Sequence, residues 1–434
     1  MACTGSGVQI PSAPLTSMNL KYIKEIFNQT KDLIGSQSSI AVISIIQVSF
    51  VVNQLGPENY GAAVLLIAVP SLIFRATHAR NSDAHLLTIK MGNSLFLESI
   101  LFNGLTGLFS LLICLFIFNN QIIINSSIGT YFGLEILSFT LVIYLFSRVI
   151  HTFSETAKAI LIFNNQMRKY SILELGSVSV RFIALIILLL DDPTVENFLI
   201  AQSIYGVFYG LFGIYLSVKG LKITKLKKRD FLKYINGVKS EYKKIRYDQI
   251  IGLIPQHFDV IILAIVLDLQ TVGIYQFAKR LVEPINYLVV TFNPWLQNKL
   301  KIQDKNFKIR SFFLQILIPL SIVLIAVYNL IGKNIILLIG NEEFLDSYNP
   351  MLILLVGFIT YLLTFWIRQY LLFYGLIQFH AYGRIIYSIT FVLLALLLSE
   401  SYSSLGIAYS LSGAMVVQKL FEIIIFKTKI TKFI

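Results

Sequence analysis

Apolar runs long enough to cross a bilayer recur along the whole chain, and each is broken by only a few polar residues before the apolar residues resume. In VVNQLGPENYGAAVLL, residues 51–66, the interruption consists of Gln54, Gly56, Pro57, Glu58 and Gly61. Such a short polar break is what a tight bend between two buried helices needs. The pattern predicts twelve spans, at 36–54, 60–77, 94–118, 130–150, 171–190, 197–218, 248–268, 272–296, 311–338, 349–374, 383–399 and 404–426. Strands of an outer-membrane barrel would alternate polar and apolar residues, and these runs do not. A cleaved signal peptide does not account for apolar runs that continue to the far end of the chain.

The bend at Leu55–Gly61 has a counterpart in LDLQTVG, residues 267–273, between the seventh and eighth spans. Both fit Leu-x5-Gly, and each is followed by an apolar helix. Two six-helix halves sharing one orientation is the architecture this recurrence implies. The expected divisions are an uncharged, disordered leader at 1–17, a first lobe at 18–218, a basic linker at 219–246, a second lobe at 247–426 and a basic tail at 427–434. The leader is also compatible with translation starting at Met18. Leu20, Ile23 and Phe27, with Lys21, Lys24 and Lys31 beside them, suit a short helix lying on the inner leaflet. The stretch 218–246 carries eleven basic and two acidic side chains. Phe231, Ile235, Val238, Tyr242 and Ile245 give it one apolar face for anionic headgroups, although a solvated connector explains it equally well.

Composition and charge fix the class. A chain of 434 residues that is 56% hydrophobic, 14% charged and of mean hydropathy +0.73 is too apolar for a soluble domain with one core. The expected fold class is an all-α polytopic membrane protein with about 12 transmembrane helices in two six-helix lobes. The net charge of +13 would suggest nucleic acid in a soluble chain. Here it reflects loops held on the cytoplasmic side, so no nucleic-acid partner is expected. With the amino terminus inside, the turns near Pro57, Asn120, Asp192, Gln270, Glu342 and Ser401 face outward, and of the 36 Lys and Arg only Lys333 lies in an outward segment. Both termini are therefore expected in the cytoplasm. Two cysteines, Cys3 and Cys114, exclude a disulfide framework or thiolate cluster, and neither a metal nor a cofactor is expected.

LGPENYGAA after the first span, RATHARNSDAHLL after the second, and FDVIILAIVLDLQTVGIYQFAKRLVEP across the seventh and eighth carry a resemblance. They resemble the polysaccharide-exporter branch of the multidrug/oligosaccharidyl-lipid/polysaccharide (MOP) flippase superfamily, and the O-antigen and capsule repeat-unit flippases more than the drug-exporting branch. The resemblance implies two lobes around a central cavity, alternating access, and passage of an undecaprenyl-pyrophosphate-linked oligosaccharide from the inner to the outer leaflet of a bacterial cytoplasmic membrane. Membrane lipids, a polysaccharide polymerase and a chain-length regulator are the further partners it implies. The alternative within the superfamily is a drug or cation antiporter.

Such cargo demands cations at depth, where Arg or Lys costs roughly 2.5–3.5 kcal/mol on insertion scales unless it faces protein or water. Arg181, midway along the fifth span, is the first candidate for the anionic headgroup, with an internal pair to Glu174 or to another helix's acid as the alternative. Arg148 beside His151, and Arg368 beside Trp366 and Gln369, are placed to line the inward mouth or to snorkel to the interface. Arg75 and Arg80 lie at the inner end of the second span. Lys279 and Glu283 are expected to satisfy each other as i, i+4 neighbours, leaving Arg280 as the freer charge. Asp259 and Asp248 are candidates for coupling transport to H⁺ or Na⁺, with Asp259 alternatively the partner of Arg181. Gln37, Ser44 and Gln47 offer hydrogen bonds to sugars or between helices. His78 and Asp83 have the His-x4-Asp spacing of some membrane acyltransferases, the basis of a third, enzymatic reading. No Gly-rich phosphate loop or nucleophile elbow supports that reading.

Overall fold

The computed structural model describes residues 15–77, 96–119, 139–164, 166–218, 254–289, 309–374 and 376–430, with isolated positions between. His78, Arg80, Asp83, Asp248 and nearly all of the basic linker lie outside the described residues. The elements are α1 (Leu15–Thr77), α2 (Phe96–Phe118), α3 (Phe139–His151), α4 (Phe153–Phe163), α5 (Met167–Asp191) and α6 (Val195–Val218) in the first half. The second half has α7 (Ile254–Val266), α8 (Leu269–Val282), α9 (Ile309–Ile339), α10 (Tyr348–Phe373) and α11 (Ile377–Ile425).

Two of these helices are bent pairs. Gly56 breaks α1 with φ 70° and ψ 173°, and Ser403 breaks α11 with φ 53° and ψ −131°. Glycine enters the left-handed region without a Cβ clash, and Pro57 then opens the second arm of α1 where no amide donor is needed. The bends expected near Pro57 and Ser401 are thus present, and counting each arm while leaving out the short α4 gives twelve helical segments among the described residues, the number the hydropathy pattern predicts. Seven described helices, with each bent pair counted once, are long and apolar enough to cross a membrane. The chain is a multi-pass membrane protein.

Two segments differ from expectation. The helix from Leu15 runs without a break into the first span, so the separate surface helix expected from Leu20 is the leading part of α1. No proline lies between Leu15 and the bend at Gly56, so no missing amide donor interrupts the backbone ladder there. The connector after His151, expected as an inward loop, is largely helical: α4 follows a break at Thr152, and Ala157, Ile160 and Leu161 are buried.

The first-half helices α3, α4 and α5 pack on α6, while α9 and α11 pack on α10 in the second half. The halves meet chiefly where α1 packs against α8. The two Leu-x5-Gly turns, matched in sequence, touch there. A β-carbon on Gly61 would collide with the Leu269 carbonyl, and one on Gly273 with the Pro57 carbonyl. Small residues let two backbones approach this closely where no water-driven force pushes them together. Asn53 Nδ2 donates to the Ile339 carbonyl at 3.0 Å nearby. Asp268 caps α8 by accepting from the Thr271 amide at 2.7 Å. The end of the molecule that bears these bends is closed.

Gly273→Ala adds a β-carbon where backbone already stands, which costs about 1–3 kcal/mol of overpacking. Its thermal unfolding midpoint in detergent should fall by several degrees. Gly35→Ala, with nothing within 4 Å of the new carbon, should leave the midpoint unchanged.

Candidate functional site

At the end opposite the bends lies a cavity of about 570 Å³. Its walls come from the second arm of α1 (Val64, Ile67, Ala68, Arg75), from α7 (Val260), and from α8 and the residues after it (Gln276, Lys279, Arg280, Glu283, Asn286). The end of α10 contributes Phe365, Arg368 and Gln369, and both arms of α11 contribute His380, Arg384, Tyr387, Gln418 and Lys419. Six basic side chains, Arg75, Lys279, Arg280, Arg368, Arg384 and Lys419, line it against one acidic one, Glu283.

Three of these cations are held by carboxylates. Lys279 Nζ lies 2.6 Å from Asp259 Oδ2, which also accepts from the Tyr275 hydroxyl at 2.9 Å. Arg280 pairs with Glu283 at 2.6 Å, and Lys419 with Glu422 at 2.8 Å. Asp259 and Glu422 are fully buried behind the wall. The expected Lys279–Glu283 pair is therefore corrected. Lys279 points toward α7 and takes Asp259, while Glu283 takes Arg280, which is three residues away on the same helix face. Arg280 is not the freer charge, although its side chain is 47% exposed.

Asp259, expected either to bind a coupling cation or to pair with Arg181, is engaged by an ammonium from its own half. Arg181 instead donates from Nε to Gln47 Oε1 at 3.0 Å and lies 5.1 Å over the Tyr205 ring. It is outside the cavity wall but within electrostatic reach of Arg280 and Tyr287, on the first-half side of the junction. Glu174, the other acid suggested for it, accepts from the Tyr209 hydroxyl and pairs with Lys158 at 3.4 Å. Lys158 also sits 4.7 Å over the Tyr209 ring.

Arg148 is likewise outside the wall, near Tyr144 and Cys114, with its buried Nε lacking a hydrogen-bond partner. Of the residues grouped with Arg368, Gln369 bonds Asn293 at 3.0 Å. Trp366 belongs to the packing, with Nε1 donating to the Leu363 carbonyl at 2.9 Å and its ring edge-on to Tyr370 and Phe426. Of the cations singled out as headgroup ligands, the cavity thus gathers Arg75, Arg280 and Arg368, and not Arg148 or Arg181.

Sequence reading missed His380, Arg384 and Glu422. Placing the start of the eleventh span at 383 put His380 in a loop, whereas α11 begins at Ile377. The i, i+4 spacing of His380 and Arg384 was the available signal. Four wall residues carry buried polar atoms without a hydrogen-bond partner: Gln276 Nε2, Arg368 Nε, His380 Nε2 and the Tyr387 hydroxyl. Buried polar atoms are nearly always satisfied, so their concentration around one cavity marks a surface that accepts a polar occupant.

The whole arrangement matches solved transporters. Lipid II flippase MurJ in an inward closed conformation superposes with a TM-score of 0.72, 16% identity, and coverage of 92% of this chain and 88% of that one. An inward-facing multidrug resistance MATE family transporter of the MOP superfamily also gives 0.72, with 14% identity and coverage of 90% and 95%. The Vibrio cholerae MATE transporter VcmN in its bent form gives 0.61, with 12% identity and coverage of 96% and 98%. The fold is the MOP transporter fold. No protein-family model and no curated protein matches the sequence significantly. The expected two-lobed, all-α MOP architecture is present, and the solved structures named above are those of a flippase and of transporters.

Within this fold, Lys279→Met should strand the Asp259 carboxylate in an apolar wall, which costs about 3–5 kcal/mol. Asp259→Asn with Lys279→Met should regain most of that loss. Thermal unfolding of the purified single and double variants measures the coupling.

Proposed function

We propose that this protein is a flippase for undecaprenyl-pyrophosphate-linked oligosaccharide repeat units of the O-antigen or capsule type, working by alternating access in the bacterial cytoplasmic membrane with both termini inside. The observation that carries this reading is the sign of the cavity: six basic wall residues against one acidic residue that already holds Arg280. A diphosphate brings two negative charges, and guanidinium forks bind its oxygens two at a time. A drug or metabolic cation would meet net repulsion from this wall, which favours anionic cargo over the antiporter alternative that the fold equally allows. The cationic wall sits at the end that the positive-inside rule turns to the cytoplasm, where such a lipid is assembled. With the bend end closed by Gly61 and Gly273, the cavity is placed to receive cargo from that side.

Arg368 and Arg75 are the proposed direct ligands, with Arg280 and Arg384 beside them. Arg181 extends the positive field onto the first half, in position to meet the headgroup as the lobes rearrange. Apolar helix faces around the cavity leave the polyprenyl chain in lipid. Coupling to an ion, and contact with a polymerase and chain-length regulator, belong to the same reading.

Deletion of the gene should leave repeat units built but stranded on the inner leaflet. Normal surface glycan in a deletion strain without a redundant exporter overturns the proposal. Arg368→Ala should weaken binding of a lipid-linked diphosphate sugar about tenfold or more, from the roughly 1.5–3 kcal/mol of a charged hydrogen bond, and Arg368→Lys should lose less. Arg181→Ala should impair export more than Arg181→Lys, because the charge survives in the second; full activity in both removes Arg181 from the pathway.

A further inference from the structure

Within the second half, one titratable group in the cavity wall has no part in the pairs described above. His380 lies on the first arm of α11, buried, with Nδ1 2.8 Å from Glu422 Oε1 on the second arm. Glu422 also accepts from Gln418 Nε2 and Lys419 Nζ, each at 2.8 Å. Three donors converge on this carboxylate, and one of them is an ammonium. Glu422 is therefore ionised and can only accept, so Nδ1 must carry the hydrogen. In the neutral ring Nε2 is then a bare lone pair, and it is buried without a partner.

We infer that His380 is a proton-binding site that loads together with the anionic headgroup. The inference rests on the proposed diphosphate cargo and adds a second, smaller ligand to the same cavity. A proton from cavity water adds to the Nε2 lone pair while Nδ1–H stays on Glu422, so the ring becomes an imidazolium and no other bond changes.

Electrostatics sets the direction of the linkage. The charges facing the ring are Glu422 and Lys419 from the opposite arm and Arg384 from its own. Arg368 from α10, the Arg280–Glu283 pair of α8 and the Lys279–Asp259 pair between α8 and α7 border the same cavity. A further positive charge among these cations is unfavourable while the cavity is empty. It becomes favourable once two phosphates arrive, one of which also supplies the acceptor that Nε2–H requires. Binding of the headgroup and binding of the proton therefore reinforce each other, and by linkage the effect is reciprocal. In an exchanger, proton and cargo compete for one site; here the proton is a co-ligand of the cargo. Asp259, whose carboxylate an internal ammonium already fills, is relieved of that role.

The test uses the purified full-length protein and farnesyl-diphospho-N-acetylglucosamine, a diphosphate diester whose own charge is fixed across the range studied. Calorimetry in two buffers of different ionisation enthalpy reads proton uptake on binding. Uptake should approach one proton per ligand, and affinity should fall up to about tenfold per unit as pH rises between about 6 and 8. His380→Gln should bind without uptake and with a flat pH profile. Binding by the wild type that is independent of pH, or a His380→Gln variant that still takes up the proton, overturns the inference and leaves the diphosphate cargo standing. No binding by the wild type at any pH overturns the cargo and the inference together. Imidazole ¹⁵N spectra of the unaltered protein provide a check that needs no variant. One of the five histidines should gain a proton on ligand addition, and a spectrum in which none does overturns the proposal.

Discussion

A charge inside a bilayer must be paired or wetted, and the interior of this protein is arranged around that demand. In the second half the solution is a row of acid–base pairs set into the walls of one cavity. Lys279 takes Asp259, Arg280 takes Glu283, and Lys419 takes Glu422. Lys279–Asp259 joins α8 to α7, so that contact also fixes how the two helices sit, whereas the other two pairs neutralise charge within a single helical turn. Among the described residues the cavity walls hold more bases than acids, so their net charge is positive. The excess faces a cavity in which water or an anionic group can stand.

The first half meets the same demand differently. Lys158, Glu155, Glu174 and Tyr209 form a cluster closed on itself, with the ammonium lying over an aromatic face. Arg181 donates to a neutral glutamine and lies over a tyrosine ring. The halves repeat in sequence layout and differ in use: one keeps its charges sealed, while the other opens them to an occupant. The junction between them joins contrasting ends. Gly61 and Gly273 bring backbone against backbone at the bends, and the walls separate toward the opposite end. Small residues make the seam tight at the bends, and side chains of α1 and α8 continue it as one packed core.

How much of this was legible in the sequence depended on the range of the interaction. The apolar runs and the short polar bends are local signals, so the helices, the bend around Pro57 and the matched hairpins could all be read directly. Pairing could not, because it is decided across helices. Lys279 and Glu283 were four residues apart and looked like partners, yet Asp259 on the preceding helix won the lysine because it was buried and otherwise unmatched. Arg181 was singled out for its depth alone, and depth does not say whether a glutamine on another helix lies opposite. His380 was passed over because a boundary error of six residues placed it outside the span, and because Glu422, which gives it meaning, is far along the chain.

On the proposed reading, the asymmetry between pairing and excess makes the cavity select by sign more strongly than by shape. A wall of internally neutralised pairs would be indifferent to cargo charge, and its polar groups would already be satisfied. Here the partnerless nitrogens of Gln276 and Arg368 are directed donors at the edge of a positive region, and only an occupant rich in acceptor oxygens satisfies donors and charge at once. Sugars provide acceptors without the charge, and inorganic anions provide charge without the reach. A diphosphate carrying a glycan has both, with its lipid left in the bilayer. The cost of holding cations in this membrane-spanning fold is thereby recovered only in the loaded state, which ties occupancy of the cavity to the stability of its walls.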